Sequence, residues 1–195
     1  MDIDLGSCSF RYGLIYTDPP WVEKAGSHSL AFPEQLVLPD YRGESIDAIE
    51  ARHEKAFSLL EDRANVFIWA IEKTLIQTEQ MMSRFGFSIH ARLIWDKGNG
   101  VSPGGTIRFS HEYLLWCYRK GHMLRPDRST AGSFSSVIHS PVHGVYSKPM
   151  CVYTMLEMMF PQARKLELYA RFHRDGWDQN GILSGVLDNR VQDLS

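Results

Sequence analysis

The sequence predicts an α/β fold, a mostly parallel sheet with helices on both faces. Runs rich in β-branched and aromatic residues alternate with segments whose apolar residues recur at helical spacing, and such units build parallel sheets through crossover connections. With 195 residues, 44% of them hydrophobic and 12% aromatic, the chain can also bury a sizeable core, which favours one domain over 1–195.

Taken in order, 13–17 reads as a buried strand. In 46–60, residues Ile46, Ile49, Ala56, Phe57 and Leu60 follow a helical spacing behind Ser45, a residue type that caps helix N-termini. Residues 66–71 are a strand-like run, and 73–84 return to helical spacing through Leu75, Ile76 and Met82, ending near Gly86. Two strands are expected at 89–95 and 113–118 across the glycine-rich loop 98–105, with a short third at 135–138. Pro149 suits a first helical turn, Val152, Tyr153, Leu156, Met159 and Phe160 give that helix one apolar face, and Pro161 stops it. Residues 165–170 form the last expected strand.

Composition narrows the function classes. Lys and Arg number 21 against 23 Asp and Glu, so any grip on a polyanion is local. Three cysteines, Cys8, Cys117 and Cys151, are too scattered for a disulfide framework or a zinc knuckle and fit a reducing compartment. No secretion signal and no apolar stretch of about 18 residues is present, so the cytoplasm is expected, with no membrane and no metal. His139 and His143 have ligand-like spacing, but Pro141 between them argues against a helix that would align them. His111 and Glu112, at a strand start, read as a structural hydrogen-bonding pair.

The most informative feature is Asp18-Pro19-Pro20-Trp21, directly after the first strand. Neither proline has an N–H, so the turn presents acceptors: the Asp18 carboxylate and the carbonyls around Pro19. Acceptors suit an exocyclic amine. The amine of adenine or cytosine is a weak nucleophile because its lone pair is delocalised, and accepting its two hydrogens returns that pair to nitrogen. Trp21 could stack on the base. The bland alternative is a turn with an exposed aromatic. In doubly wound sheets ligands bind beyond the carboxyl ends of the strands, which points to 18–21 and to 171–177.

Three motifs occur in order: Asp18-Pro19-Pro20-Trp21, then Ser147-Lys148-Pro149, then Glu167-Leu168-Tyr169-Ala170-Arg171 followed by Gly176-Trp177. Phe67-Ile68-Trp69, Phe85-Gly86-Phe87, Trp95 with Lys97, and His111-Glu112 fit between them. The combination resembles the N6-adenine methyltransferases related to the catalytic subunit of the messenger-RNA adenosine methyltransferase, over roughly residues 14–180. The resemblance implies a Rossmann-like methyltransferase of permuted motif order that uses S-adenosyl-L-methionine. It implies that Asp18 and the Pro19 carbonyl accept the amine hydrogens, that Pro20 shapes the turn and that Trp21 lines the base pocket. It also implies cofactor contacts from Lys148, to the methionine carboxylate, and from Glu167, Arg171 and His173. Glu167 paired with Arg171 or Lys148 in a purely structural salt bridge is the alternative. After the tryptophan this chain departs from the family pattern, reading Trp177-Asp178-Gln179-Asn180-Gly181, and ribose binding falls to Asn180 with Gln179 as competitor.

For the polynucleotide, the loops 22–44, 97–110, 119–136 and 139–147 are available. Arg119, Lys120, Arg125 and Arg128 form the densest basic cluster, suited to phosphates or simply to solvent. DNA is favoured over RNA because the chain has the extent of a bare catalytic core. In duplex DNA the adenine has to be flipped out. An RNA adenosine methyltransferase, transfer to cytosine N4, and a non-catalytic nucleic-acid-binding partner subunit of the same fold stay open, as do monomer and homodimer.

Overall fold

Central strands buried on both faces and three helices build a seven-stranded sheet between two helical layers in this computed structural model, which describes residues 1–21, 43–98, 109–142 and 148–181. The elements are β1 (Tyr12–Thr17), α1 (Ile46–Phe57), β2 (Leu60–Ala70), α2 (Leu75–Arg84), β3 (Phe87–Asp96), β4 (His111–Arg119), β5 (Val137–His139), α3 (Met150–Met159), β6 (Lys165–Leu168) and β7 (Trp177–Asn180). The sheet order is β5-β3-β4-β2-β1-β6-β7. All pairings are parallel except those of β4, which runs against both β2 and β3. The fold is Rossmann-like, as the alternation of strands and helices predicts.

Because successive strand residues point to opposite faces, β1 feeds both layers. Ile15 joins Val66, Ile68, Leu166 and Leu168 under Ile49, Ala56 and Phe57 of α1 and Met81 and Met82 of α2. Leu14 and Tyr16 join Phe67, Trp69 and Trp116 under Val152, Tyr153 and Leu156 of α3. The fully buried Phe67 stacks on Trp116 at 5.3 Å and meets Phe160 at 6.0 Å. Phe67→Ala should therefore cost about 3–5 kcal/mol, read as a lower urea midpoint, because a cavity opens where three rings meet.

Local signals explain the boundaries. The Ser45 hydroxyl accepts the Ala48 N–H at 3.2 Å, capping α1, and Gly86 ends the α2 turn at φ +79°. Leu60, expected at the end of a helix, instead opens β2, whose exposed Glu61, Asp62 and Arg63 hide the strand from an apolar-pattern reading. Pro149 sits one position earlier than expected, as the N-cap of α3. β7 is an addition to the expected elements. Its sequence Trp177-Asp178-Gln179-Asn180 is polar, and it is a strand because β6 pairs with it on one side and residues 1–3 hydrogen-bond to Gln179 on the other. No helix among the described residues is long and apolar enough to cross a membrane.

Candidate active site

β1, β2, β3 and β6 all run the same way, so Asp18, Lys97 and Arg171 emerge at one edge of the sheet. β4 runs the other way, so its first residues, His111 and Glu112, arrive at that same edge. Along β1, Tyr16 faces α3, Thr17 faces α1, and Asp18 turns back toward the N-terminus of α3.

There Asp18 takes two cations: Lys148 Nζ lies 3.1 Å from Oδ1, and Arg171 Nη2 donates to Oδ2 at 2.9 Å. Lys148 also donates to Glu112 Oε2 at 2.6 Å, and Lys97 donates to Glu112 Oε1 at 2.5 Å. Lys148 lies 5.0 Å from the Trp69 ring centre and Lys97 5.0 Å from that of Trp95. The chain of charges is Arg171, Asp18, Lys148, Glu112, Lys97, cationic at both ends. Burial alone pushes the Lys148 ammonium down, but the Asp18 and Glu112 carboxylates outweigh it and hold the ammonium above its ordinary value. Burial likewise pushes Glu112 up, and Lys148 and Lys97 overcome it, holding the carboxyl below the usual range. A cavity of about 390 Å³ opens beside Lys97, lined by Asp96, His139 and Ser140.

A second, uncharged line of hydrogen bonds runs beneath. Trp69 Nε1–H donates to the Tyr16 hydroxyl at 2.6 Å, and the Tyr153 hydroxyl, whose ring packs on Tyr16 at 5.0 Å, donates to Glu167 Oε1 at 2.6 Å. Glu167 Oε2 is buried with no hydrogen-bond partner. Burial pushes the Glu167 carboxyl up to about 7 against the Tyr153 hydrogen bond, and the nearby Asp18 charge adds to the rise.

Several expected placements change. Trp21 is not an open stacking platform: it is buried in the cluster on the α1 and α2 side, its indole N–H unpartnered. The Pro19 carbonyl already accepts the Trp21 N–H at 2.9 Å, and the Pro20 carbonyl accepts the Glu44 N–H at 2.8 Å. Glu167 pairs with neither Arg171 nor Lys148, since both reach Asp18. Asn180 is engaged, accepting from Arg52 at 3.0 Å and donating to the Ile3 carbonyl at 2.8 Å. Gln179 is fully buried against the Phe172 carbonyl, and the exposed His173 lies 3.2 Å from the Gln179 side-chain oxygen. Glu112, read as half of a structural pair with His111, is bound instead by Lys97 and Lys148, while His111 meets Tyr113.

The basic cluster is not at this edge. Arg119 ends β4 opposite Phe87, seven residues beyond Glu112 and about 23 Å away, and Lys120, Arg125 and Arg128 continue from that far end. The structure therefore does not bring these residues to a base held at Asp18. Ser147 and His143, and most of the loops 22–44, 97–110 and 139–147, lie outside the described residues. Among the described residues no group of three or more His, Cys, Asp or Glu could hold a metal ion. Beyond the motifs, the sequence reading missed Tyr16, Tyr153 and His53, whose only signal is a polar residue inside an apolar face.

The sheet order, the helices on both faces and the charged edge at Asp18 define a Rossmann-like methyltransferase. The MT-A70 family model matches residues 12–182, and the chain belongs to that family of N6-adenine methyltransferases. It is 24% identical over 194 residues to the Type II methyltransferase M.MunI of Mycoplasma sp, covering 93% of this chain and 81% of that protein. It is 26% identical over 186 residues to a putative N(6)-adenosine-methyltransferase MT-A70-like protein of Medicago truncatula, covering 90% of this chain and 27% of the other. With the human N(6)-adenosine-methyltransferase catalytic subunit METTL3 the identity is 23% over 168 residues, covering 84% of this chain and 26% of that protein.

Proposed function

We propose that residues 1–195 act as a single methyltransferase domain that moves a methyl group from S-adenosylmethionine to the N6 amine of adenine in DNA. The observation that carries this reading is the Asp18 carboxylate at the carboxyl edge of β1, beside a proline-flanked carbonyl and within a cationic cluster. The residues present suit the cofactor. The Lys97 and Lys148 ammonium groups and the Arg171 guanidinium suit an anionic group such as an amino-acid carboxylate, and Glu167 Oε2, buried without a hydrogen-bond partner, suits a hydroxyl or N–H donor. Asn180 and His173 fit a contact with the cofactor only by exchanging the partners they hold.

Bound S-adenosylmethionine supplies an electrophilic methyl group on a good leaving group. What this chain adds is alignment and charge placement. An ionised carboxylate offers about four lone-pair sites, so Asp18 holds Lys148 and Arg171 and still accepts one amine hydrogen. The Pro19 carbonyl has a second lone pair for the other. Holding both hydrogens leaves the nitrogen lone pair free to meet the methyl group, and the proton released afterward goes to Asp18 or water. Pro20 fixes the turn, and Trp21 supports it from below. The role of Arg119, Lys120, Arg125 and Arg128 is contact with nucleic-acid backbone well away from the target base, not base positioning.

The lean to DNA is supported by the likeness to the Type II methyltransferase M.MunI, of which the match covers 81%. The N(6)-adenosine-methyltransferase relatives favour RNA as the second reading. The enzyme acts in the cytoplasm, where the free Cys8, Cys117 and Cys151 stay reduced. Labelled methyl incorporation into matched adenine-containing DNA and RNA oligomers separates the readings. More label in DNA is expected; label in RNA alone would reassign the substrate; binding of S-adenosylmethionine without transfer to either would make the chain a partner subunit.

A further inference from the structure

Beneath Asp18 lies a histidine that none of the motifs includes. His53, on α1, has no solvent exposure. Its Nδ1 lies 2.7 Å from the Ile49 carbonyl, which can only accept, so Nδ1 carries the proton. Burial disfavours the imidazolium, so the ring is neutral and Nε2 accepts from the Thr17 hydroxyl at 3.1 Å. Thr17 is the last residue of β1, and Asp18 follows it. Because neighbouring strand side chains point to opposite faces, tying Thr17 down to α1 turns Asp18 up toward Lys148 and Arg171.

The same ring also supports the other half of the Asp18–Arg171 pair. His53 packs 6.0 Å from the ring of Tyr169, just past β6, where the backbone adopts φ +62°. That left-handed conformation is costly for a residue with a side chain and holds only when its surroundings impose it. Around Tyr169 these are His53, the Arg52 guanidinium 4.9 Å from the ring centre, and Glu44, which accepts from the Tyr169 hydroxyl at 3.3 Å. Two residues later comes Arg171.

We infer that His53 is a positioning residue, a neutral brace that uses the Thr17 hydrogen bond and the Tyr169 contact to set the Asp18 carboxylate against Arg171. It touches neither substrate nor cofactor. The inference rests on the methyltransferase reading for its kinetic consequence but not for its geometry.

The test uses the full chain with Thr17→Val, which keeps shape and removes the hydroxyl, and His53→Phe, with His53→Gln as the variant that retains a hydrogen-bonding side chain. Each of the first two should lower kcat by about tenfold to a hundredfold with KM within about threefold, as expected of misplacement and not of lost binding. The double variant should lose no more than His53→Phe alone, because the hydrogen bond that Thr17→Val removes is already absent there. His53→Gln should recover part of the loss. Unchanged kcat in a folded Thr17→Val protein overturns the inference. Carbon-13 signals of the Asp18 carboxyl, recorded with and without Thr17→Val, give a readout independent of turnover. A moved signal supports the brace and an unmoved one overturns it, whereas wild-type inactivity would count against the methyltransferase reading alone.

Discussion

Asp18→Asn should lower methyl transfer by roughly 10²–10³-fold while the protein stays folded. The amide keeps the size of the carboxylate, yet it presents an NH2 where an acceptor is required, and it faces Lys148 and Arg171 without a charge to balance them. Lys148 keeps Glu112, so only part of the network is orphaned. The expected stability loss is about 1–3 kcal/mol, below that of breaking a fully buried pair, since these side chains retain 14–21% exposure. Single-turnover rates and urea midpoints on the same preparation separate the two effects. A turnover within a few fold of wild type would remove Asp18 from the reaction.

The second large effect is a pH dependence hidden in the wild type. Glu167 is pushed up to about 7 from 4.5, so the folded state holds a proton that the unfolded chain releases; its stabilising share is complete below 4.5 and is lost as pH rises through about 7. His53 is pushed down to about 4 from 6.5, chiefly by burial with Arg52 adding, so its share is present above 6.5 and is lost as pH falls toward 4. Each window spans about 2.5 pH units, or about 3 kcal/mol, and the slopes are opposite. Between about 4.5 and 6.5 they nearly cancel. Glu167→Gln, an isostere of the protonated acid, leaves only the His53 slope, so stability should rise by about 2–3 kcal/mol from pH 5 to pH 7. His53→Phe leaves only the Glu167 slope, and stability should fall over the same interval. Denaturant midpoints at the two pH values read both, and flat profiles in both variants would contradict the buried state of these groups.

How much of this was legible in the sequence turns on one fact that the sequence does not carry, the direction of β4. Periodicity places strands and helices because burial imposes it residue by residue, and the three helices and β1 follow from it. Whether 113–118 runs with or against its neighbours depends on pairing. Antiparallel pairing brings Glu112 to the edge of Asp18 and sends Arg119 to the far one, so a residue read as structural joins the site while a dense basic cluster leaves it. Asp18, Lys148 and Arg171 were legible because local motifs name them. The burial of Trp21, in the cluster that also holds residues of α1 and α2, is not announced by its place after two prolines. β7 was invisible because its burial comes from residues 1–3 and β6, not from its own apolar content.

The central claim is that the acceptor corner at Asp18 holds the amine of adenine. It is tested most directly by digesting methylated duplex DNA to nucleosides after incubation with wild-type protein and S-adenosylmethionine, and identifying the product by mass spectrometry. N6-methyladenine is the expected product, absent with Asp18→Ala. N4-methylcytosine as the product, or N6-methyladenine undiminished in the Asp18→Ala variant, would contradict the claim.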